Sequence, residues 1–174
     1  MAGTKGSSEL LIEVATKELG TVEGPRDNET KYGKFTGTNF LPWCGAFVMW
    51  CANKAGVTIP NVVGTLPGAQ AFMKKKRWYP APKCTPQPGD LAFFDFPHDG
   101  IDRISHVGIV VKDNGDGTCV TIEGNTAGTT RGNQRNGGMV AKKVRAYKAN
   151  KKKVPVSIVG FGRPKFTVSS KGEA

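Results

Sequence analysis

The sequence predicts an α+β fold: N-terminal helices packed on an antiparallel sheet of about five to six strands. Before Lys75, apolar residues recur at helical spacing, most clearly in Phe47, Val48, Cys51 and Ala55. From Pro86 onward the pattern becomes alternation with period two. Asn114-Gly115-Asp116-Gly117 then joins two alternating runs as a hairpin turn, which makes those runs antiparallel neighbours.

Each element has its own signal. Ser7 or Ser8 can cap a helix through Leu10, Leu11, Val14 and Leu19 that Gly20 ends. Residues 21–42 read as a loop rich in Gly, Asp, Asn and Thr, with Tyr32, Phe35 and Phe40 as anchors. A loop of this length inside a domain is often functional. Pro42 precedes a helix that begins near Cys44 and stops at Gly56. A short helix follows over residues 66–75. Strands are expected at 91–96, 105–112, 119–125, 139–147 and 156–161, with a glycine-rich mobile loop over 127–138. No repeat or interdomain linker interrupts this order, so residues 1–174 read as one domain with a core over about 8–166.

The bulk numbers exclude several classes. Hydrophobic residues make up 38% and charged residues 22%, which is ordinary for a globular chain. No apolar run reaches the ~20 residues of a membrane span. Residues 1–9 lack the apolar segment of a secretory signal, so synthesis in a cytoplasm and action after release are expected. The four cysteines form no CxxC pair, which disfavours a disulfide framework or a tight zinc site, though a Cys84–Cys119 pair stays open. The net charge is +11, and no Asp or Glu lies between Gly124 and Gly172, where twelve Lys and Arg fall. Such a field attracts polyanions, among them nucleic acid, anionic membrane and the phosphate-rich polymers of a bacterial wall, or it is simply a soluble surface.

The chemistry gathers at a few residues. Cys44 falls in the first turn of its helix, where the dipole favours a thiolate. A thiolate nucleophile needs a base, and the chain has two histidines. His98, in Pro97-His98-Asp99-Gly100, reads as a surface turn residue. His106 lies in a strand, on the face opposite Val107, Ile109 and Val111, with Gly108 leaving space beside the imidazole. Glu123 lies on the next strand, on the face of Cys119, Thr121 and Asn125, within reach of His106. Singly, each residue reads as structural; jointly they form a nucleophile, a base and an orienting acid. Trp43 reads as cleft lining or core.

The segments Trp43-Cys44-Gly45-Ala46-Phe47-Val48, Pro88-Gly89-Asp90-Leu91, Ser105-His106-Val107-Gly108-Ile109-Val110 and Glu123-Gly124-Asn125 resemble, in order and spacing, a CHAP domain. These are the cysteine, histidine-dependent amidohydrolases/peptidases of phage endolysins and bacterial autolysins, and the resemblance runs from about residue 8 to 166. It implies a papain-like α+β fold and cleavage of an amide bond in peptidoglycan, as in a phage lytic enzyme. It implies Cys44 as nucleophile, His106 as base, Glu123 as orienting acid and Asn125 as a further polar site member. Trp43 and Tyr32 are the expected substrate contacts, and Asn125 or Tyr32 a second oxyanion donor.

The sequence departs from the pattern in two places. Many members carry Ala after the cysteine where this chain has Gly45, a change expected to matter little. Some bind calcium through alternating acidic residues; here Asp27 and Glu29 are followed by Lys31, so no metal and no cofactor is expected to be required. The expected partners are peptidoglycan and anionic wall polymers, with no required nucleic acid and a monomeric state. The chain is either a catalytic fragment or one whose basic C-terminal third holds the wall. The rival readings, a basic nucleic-acid-binding module or a non-catalytic wall-binding module, leave Cys44 and His106 unused.

Overall fold

A computed structural model describes residues 3–97, 99–129 and 132–167. Four helices precede a six-stranded antiparallel sheet: α1 Ser8–Lys17, α2 Lys31–Thr36, α3 Cys44–Ala55, α4 Thr65–Lys74, then β1 Trp78–Pro80, β2 Leu91–Phe94, β3 His106–Asp113, β4 Thr118–Thr126, β5 Met139–Ala146 and β6 Ile158–Gly162. The strand order is β1-β6-β2-β3-β4-β5. This is the α+β arrangement that the period switch predicts.

Local chemistry sets the helix ends. The Ser7 hydroxyl accepts from the Leu10 N–H and starts α1, which ends at Lys17, so Leu19 and Gly20 belong to the following turn rather than to the helix. Residues 21–42 are not all loop. Thr30 caps α2 through the Gly33 N–H, and Gly37 closes it in the left-handed region. Six residues with an internal glycine carry too little periodicity to betray a helix. Its Tyr32 is fully buried and anchors the segment, whereas Phe35 and Phe40 are exposed. Helix α3 runs Cys44–Ala55 and is stopped by Gly56 in the left-handed region, as its spacing predicts. Strand β1, three residues ending in proline, is not visible in the sequence.

Alternation in β2 and β3 sorts side chains between two cores. Leu91, Phe93, Val107 and Ile109 join α1 and α3 in the main core, with Leu11, Phe47, Val48 and Phe72. Ala92, Phe94 and Val110 face the other way and pack with Phe96, Tyr147, Ile158 and Phe161. β2 is therefore buried along its whole length. Asp90, in the Pro-Gly-Asp turn before it, is fully buried and held by both ends of the Arg163 guanidinium fork at 2.8 Å, tying the end of β6 to the start of β2.

Gly45 does more than the sequence implies. A Cβ there would stand 2.1 Å from the Val62 carbonyl oxygen and 2.7 Å from the Val63 Cα. The segment before α4 thus packs backbone-on-backbone against the start of α3, and the expectation that this departure matters little is corrected: in this chain the position must be glycine. Gly45→Ala is predicted to destabilise the fold by about 2 kcal/mol through overpacking, or roughly 4–8 °C in melting temperature. An unchanged melting curve would refute the close approach.

Candidate active site

Cys44 is the first residue of α3, and the residue before it, Trp43, makes no side-chain capping bond. The N–H groups of the first turn are therefore left for the site rather than consumed by a cap. The sulfur is almost fully buried. It sits at the entry of β3, where the N–H groups of Val107 and Gly45 point at it.

His106 opens β3 opposite Phe94 of β2 and is fully buried. Its ring packs against the edge of the Phe94–Phe96 stack, with centroids 5.3 and 5.5 Å away. Nε2 is 3.0 Å from Glu123 Oε2. Nδ1, the nitrogen left for the thiol, has no partner of regular hydrogen-bond geometry among the described residues. Its interaction with Cys44 is looser than a regular hydrogen bond, as is common before substrate binds, yet it shifts both groups.

Glu123 reaches His106 because Gly108 has no side chain. The register Ile109↔Ile122, extended by one pair, sets Glu123 opposite Gly108, and a Cβ there would lie 2.6 Å from Glu123 Cγ. The space at Gly108 is filled by the acid, not left beside the imidazole as the sequence implies. The fully buried carboxylate accepts four hydrogen bonds. Oε1 takes Thr121 Oγ1 at 2.5 Å and Arg145 Nε at 2.8 Å; Oε2 takes His106 Nε2 and, at 2.6 Å, Arg145 Nη2.

These contacts set the charges. Burial alone pushes the Glu123 carboxyl up, but Arg145 and then His106 hold it well below the usual carboxylate range. Burial pulls the imidazole down, but Cys44 and Glu123 raise His106 to about 9. Burial pushes the Cys44 thiol up, but His106 and the two backbone N–H groups bring it below its ordinary value. Burial raises the other three thiols, Cys119 to about 12. All four cysteines are free, so Cys84 and Cys119 do not pair in the structure, and Cys44 alone is tuned toward thiolate.

The other expected site residues lie elsewhere in the hydrogen-bond network. Asn125 is buried in the left-handed region, and its amide is fully used: Nδ2 donates to Asn28 Oδ1 at 3.2 Å and Asn136 Oδ1 at 2.8 Å, and Oδ1 accepts from the Gly138 N–H at 3.1 Å. It clamps the end of β4 to two flanking loops and has no donor free for an oxyanion. Tyr32 and Trp43 stack at 5.3 Å and are fully buried; the Tyr32 hydroxyl donates to Glu18, and Trp43 Nε1 to Glu23 Oε2 at 3.0 Å. With their polar tips occupied and no exposed surface, they support α2 and α3 from beneath rather than line an open cleft. Glu29 pairs with Arg26 and Lys34, and Asp27 accepts from Asn28. No group of three or more His, Cys, Asp or Glu gathers at metal-binding distance among the described residues. His98, Thr130 and Arg131 lie outside them.

The sequence reading passes over Arg145 and Thr121. A signal for both exists. Thr121 precedes Glu123 by two on the same face, and the β4–β5 register puts Arg145, opposite Cys119, on that face too. A buried carboxylate requires a cation, and a row of surface-reading Lys and Arg concealed which one.

A family model described as CHAP domain matches residues 36–125, just over half of the chain. No curated protein matches. Among solved structures, a protein of Staphylococcus aureus subsp. aureus Mu50, described as similar to a lipoprotein of the NLP/P60 family, aligns at 15% identity with a TM-score of 0.42, over 91% of this chain and 43% of that one. The chain spans less than half of that protein's length.

Glu123 contributes stability that is present above its ordinary value of 4.5 and is lost as pH falls through its depressed folded value. Arg145→Met leaves that buried carboxylate without its cation. At neutral pH the variant is expected to lose about 3–5 kcal/mol, and the gap to the parent to narrow toward acid as Glu123 takes up a proton. Denaturant unfolding at several pH values measures this; an unchanged midpoint at neutral pH would show that Arg145 is not the counter-charge.

Proposed function

The chain belongs to the CHAP domain family of cysteine amidases and peptidases acting on peptidoglycan, and on that premise we propose that it hydrolyses an amide bond of the bacterial cell wall through Cys44, His106 and Glu123. The observation that carries this reading is the opposed shift of two buried neighbours. The Cys44 thiol is lowered while the His106 imidazole is raised to about 9, so a thiolate–imidazolium pair is favoured at neutral pH.

The chemistry follows from the roles. The Cys44 thiolate adds to the carbonyl carbon, forming a C–S bond and an oxyanion. The Cys44 N–H, at the uncapped start of α3, stabilises that oxyanion. The imidazolium, through Nδ1, protonates the departing amine as the C–N bond breaks and leaves a thioester. Nδ1 then takes a proton from water as the hydroxyl adds to the thioester carbon, and collapse returns the thiolate and imidazolium with a free carboxylic acid. Glu123 keeps Nε2 protonated throughout, so that Nδ1 is the nitrogen that exchanges protons. The same reading makes the chain a phage lytic enzyme that meets the wall after release from the host cytoplasm.

Cys44→Ala should reduce wall clearing by about 10³-fold or more without unfolding the protein; retained activity would end this reading. Mass spectrometry of the digest identifies the bond, since a muramoyl-amide cut and a peptide cut leave different new termini.

The activity of the parent should fall as pH rises through about 9, where His106 loses its proton. The Cys44 charge is the largest influence raising that value, so Cys44→Ala should move the His106 titration downward. With only two histidines in the chain, ring-proton NMR can follow it directly. An unmoved titration would show that the pair is not coupled.

A further inference from the structure

A groove of about 920 Å³ opens at the β5 edge of the sheet, away from the Cys44 thiol. Its cations are Arg135, Lys142, Lys143, Arg145, Lys152 and Lys153, and Asp99 is the one carboxylate among its described lining residues. Three carboxylates partly neutralise them: Asp99 lies 3.5 Å from Arg135, Asp116 lies 2.9 Å from Lys152, and Glu123 holds Arg145. Among the described residues, six cations against three carboxylates leave an excess of three. Lys142 and Lys153 are exposed and have no carboxylate partner among the described residues. Lys143 is nearly buried, its Nζ donating to the Ala127 and Thr129 carbonyls, so its charge is fixed at the groove wall.

Two further features narrow the ligand. Among the described residues the groove carries no aromatic ring free to stack a base. Its Phe96 is buried and stacked on Phe94 at 5.4 Å, which disfavours single-stranded nucleic acid. Gln134 Oε1 is buried at the groove without a donor among the described residues; a phosphate supplies none, whereas a polyol hydroxyl does. Lysines spaced along an open groove suit a chain with one phosphate per unit. The apolar lining from Val144, Val154 and Pro155 suits its carbon backbone.

We propose that this groove is a second, non-catalytic site that binds a polyol-phosphate chain, a phosphodiester polymer of the bacterial wall, and thereby holds the protein at its substrate. The assignment of the wall as the source rests on the reading of the chain as a wall hydrolase; the phosphodiester chemistry of the groove does not. The site lies one guanidinium from Glu123, on Arg145, so occupancy leaves the thiol and imidazole free.

The test uses the full chain carrying Cys44→Ala, so that binding is read without cleavage, and glycerol-phosphate oligomers of defined length across a salt series. The oligomers should bind with strong salt dependence. Lys142→Gln/Lys153→Gln should weaken binding about tenfold at low salt and reduce the slope of log affinity against log salt by about 1.4, at about 0.7 per charge. In the parent with Cys44 intact, the same pair of changes should leave hydrolysis of phosphodiester-stripped walls unchanged. Oligomers that bind the double variant as tightly as its parent would overturn the site, as would tighter binding of single-stranded DNA of equal charge, which would mark a nucleic-acid groove. Stripped walls left uncut by the Cys44 protein would instead overturn the hydrolase reading, an outcome separate from the oligomer measurement.

Discussion

The candidate site depends on a single buried carboxylate with every lone pair used. Glu123 lies at full burial, where an isolated charge costs several kcal/mol, and it stays ionised because Thr121, His106 and both ends of one Arg145 fork donate to it. That ionisation fixes which imidazole nitrogen faces the thiol, and it joins Cys44, the larger influence, in raising His106 against the pull of burial. The Cys44 shift follows in turn, since His106 is the main influence that lowers it. The coupled groups run Arg145, Glu123, His106, Cys44, from the β5 edge to the start of α3, and the last two shift each other.

Close backbone approach lets this order exist in so small a space. Glu123 passes over Gly108 to reach the imidazole, and the start of α3 presses on the 62–63 segment through Gly45. The aromatic residues act as walls rather than as ligands: Phe94 and Phe96 hold the imidazole from one side and lie under the Arg145 guanidinium on the other, 5.6 and 5.0 Å away. Tyr32 and Trp43 support the helix start from below. The same sheet edge that buries Arg145 exposes Lys142, so one strand serves the site with one face and meets solvent with the other.

Much of this was legible in the residues alone. The helix of Cys44 could be bounded by Pro42 and Gly56 because proline and glycine act through the local backbone. The placement of His106 and Glu123 on one face followed from a period of two and a recognisable turn. Helix α2 escaped detection because six residues give no periodic signal, and β1 because three residues ending in proline give none either. Asn125, Tyr32 and Trp43 were legible as polar or aromatic groups near the motifs, but not as groups whose hydrogen-bonding capacity was already taken. Arg145 was visible only as one positive charge among twelve in a basic stretch.

By itself, then, the sequence determined the order of elements, the faces of the strands and the candidates for nucleophile and base, because these depend on neighbours within a few residues along the chain or across one turn. Tertiary structure decided everything that depends on distance between remote segments: that Glu123 is paired with Arg145, that Gly45 and Gly108 must be glycine, that Cys44 alone of four thiols is drawn toward thiolate, and that Asn125 is a clamp. Charge and burial are properties of the surroundings in three dimensions. A cysteine carries the capacity to be a nucleophile in its formula, but its proton is set by what the fold places beside it.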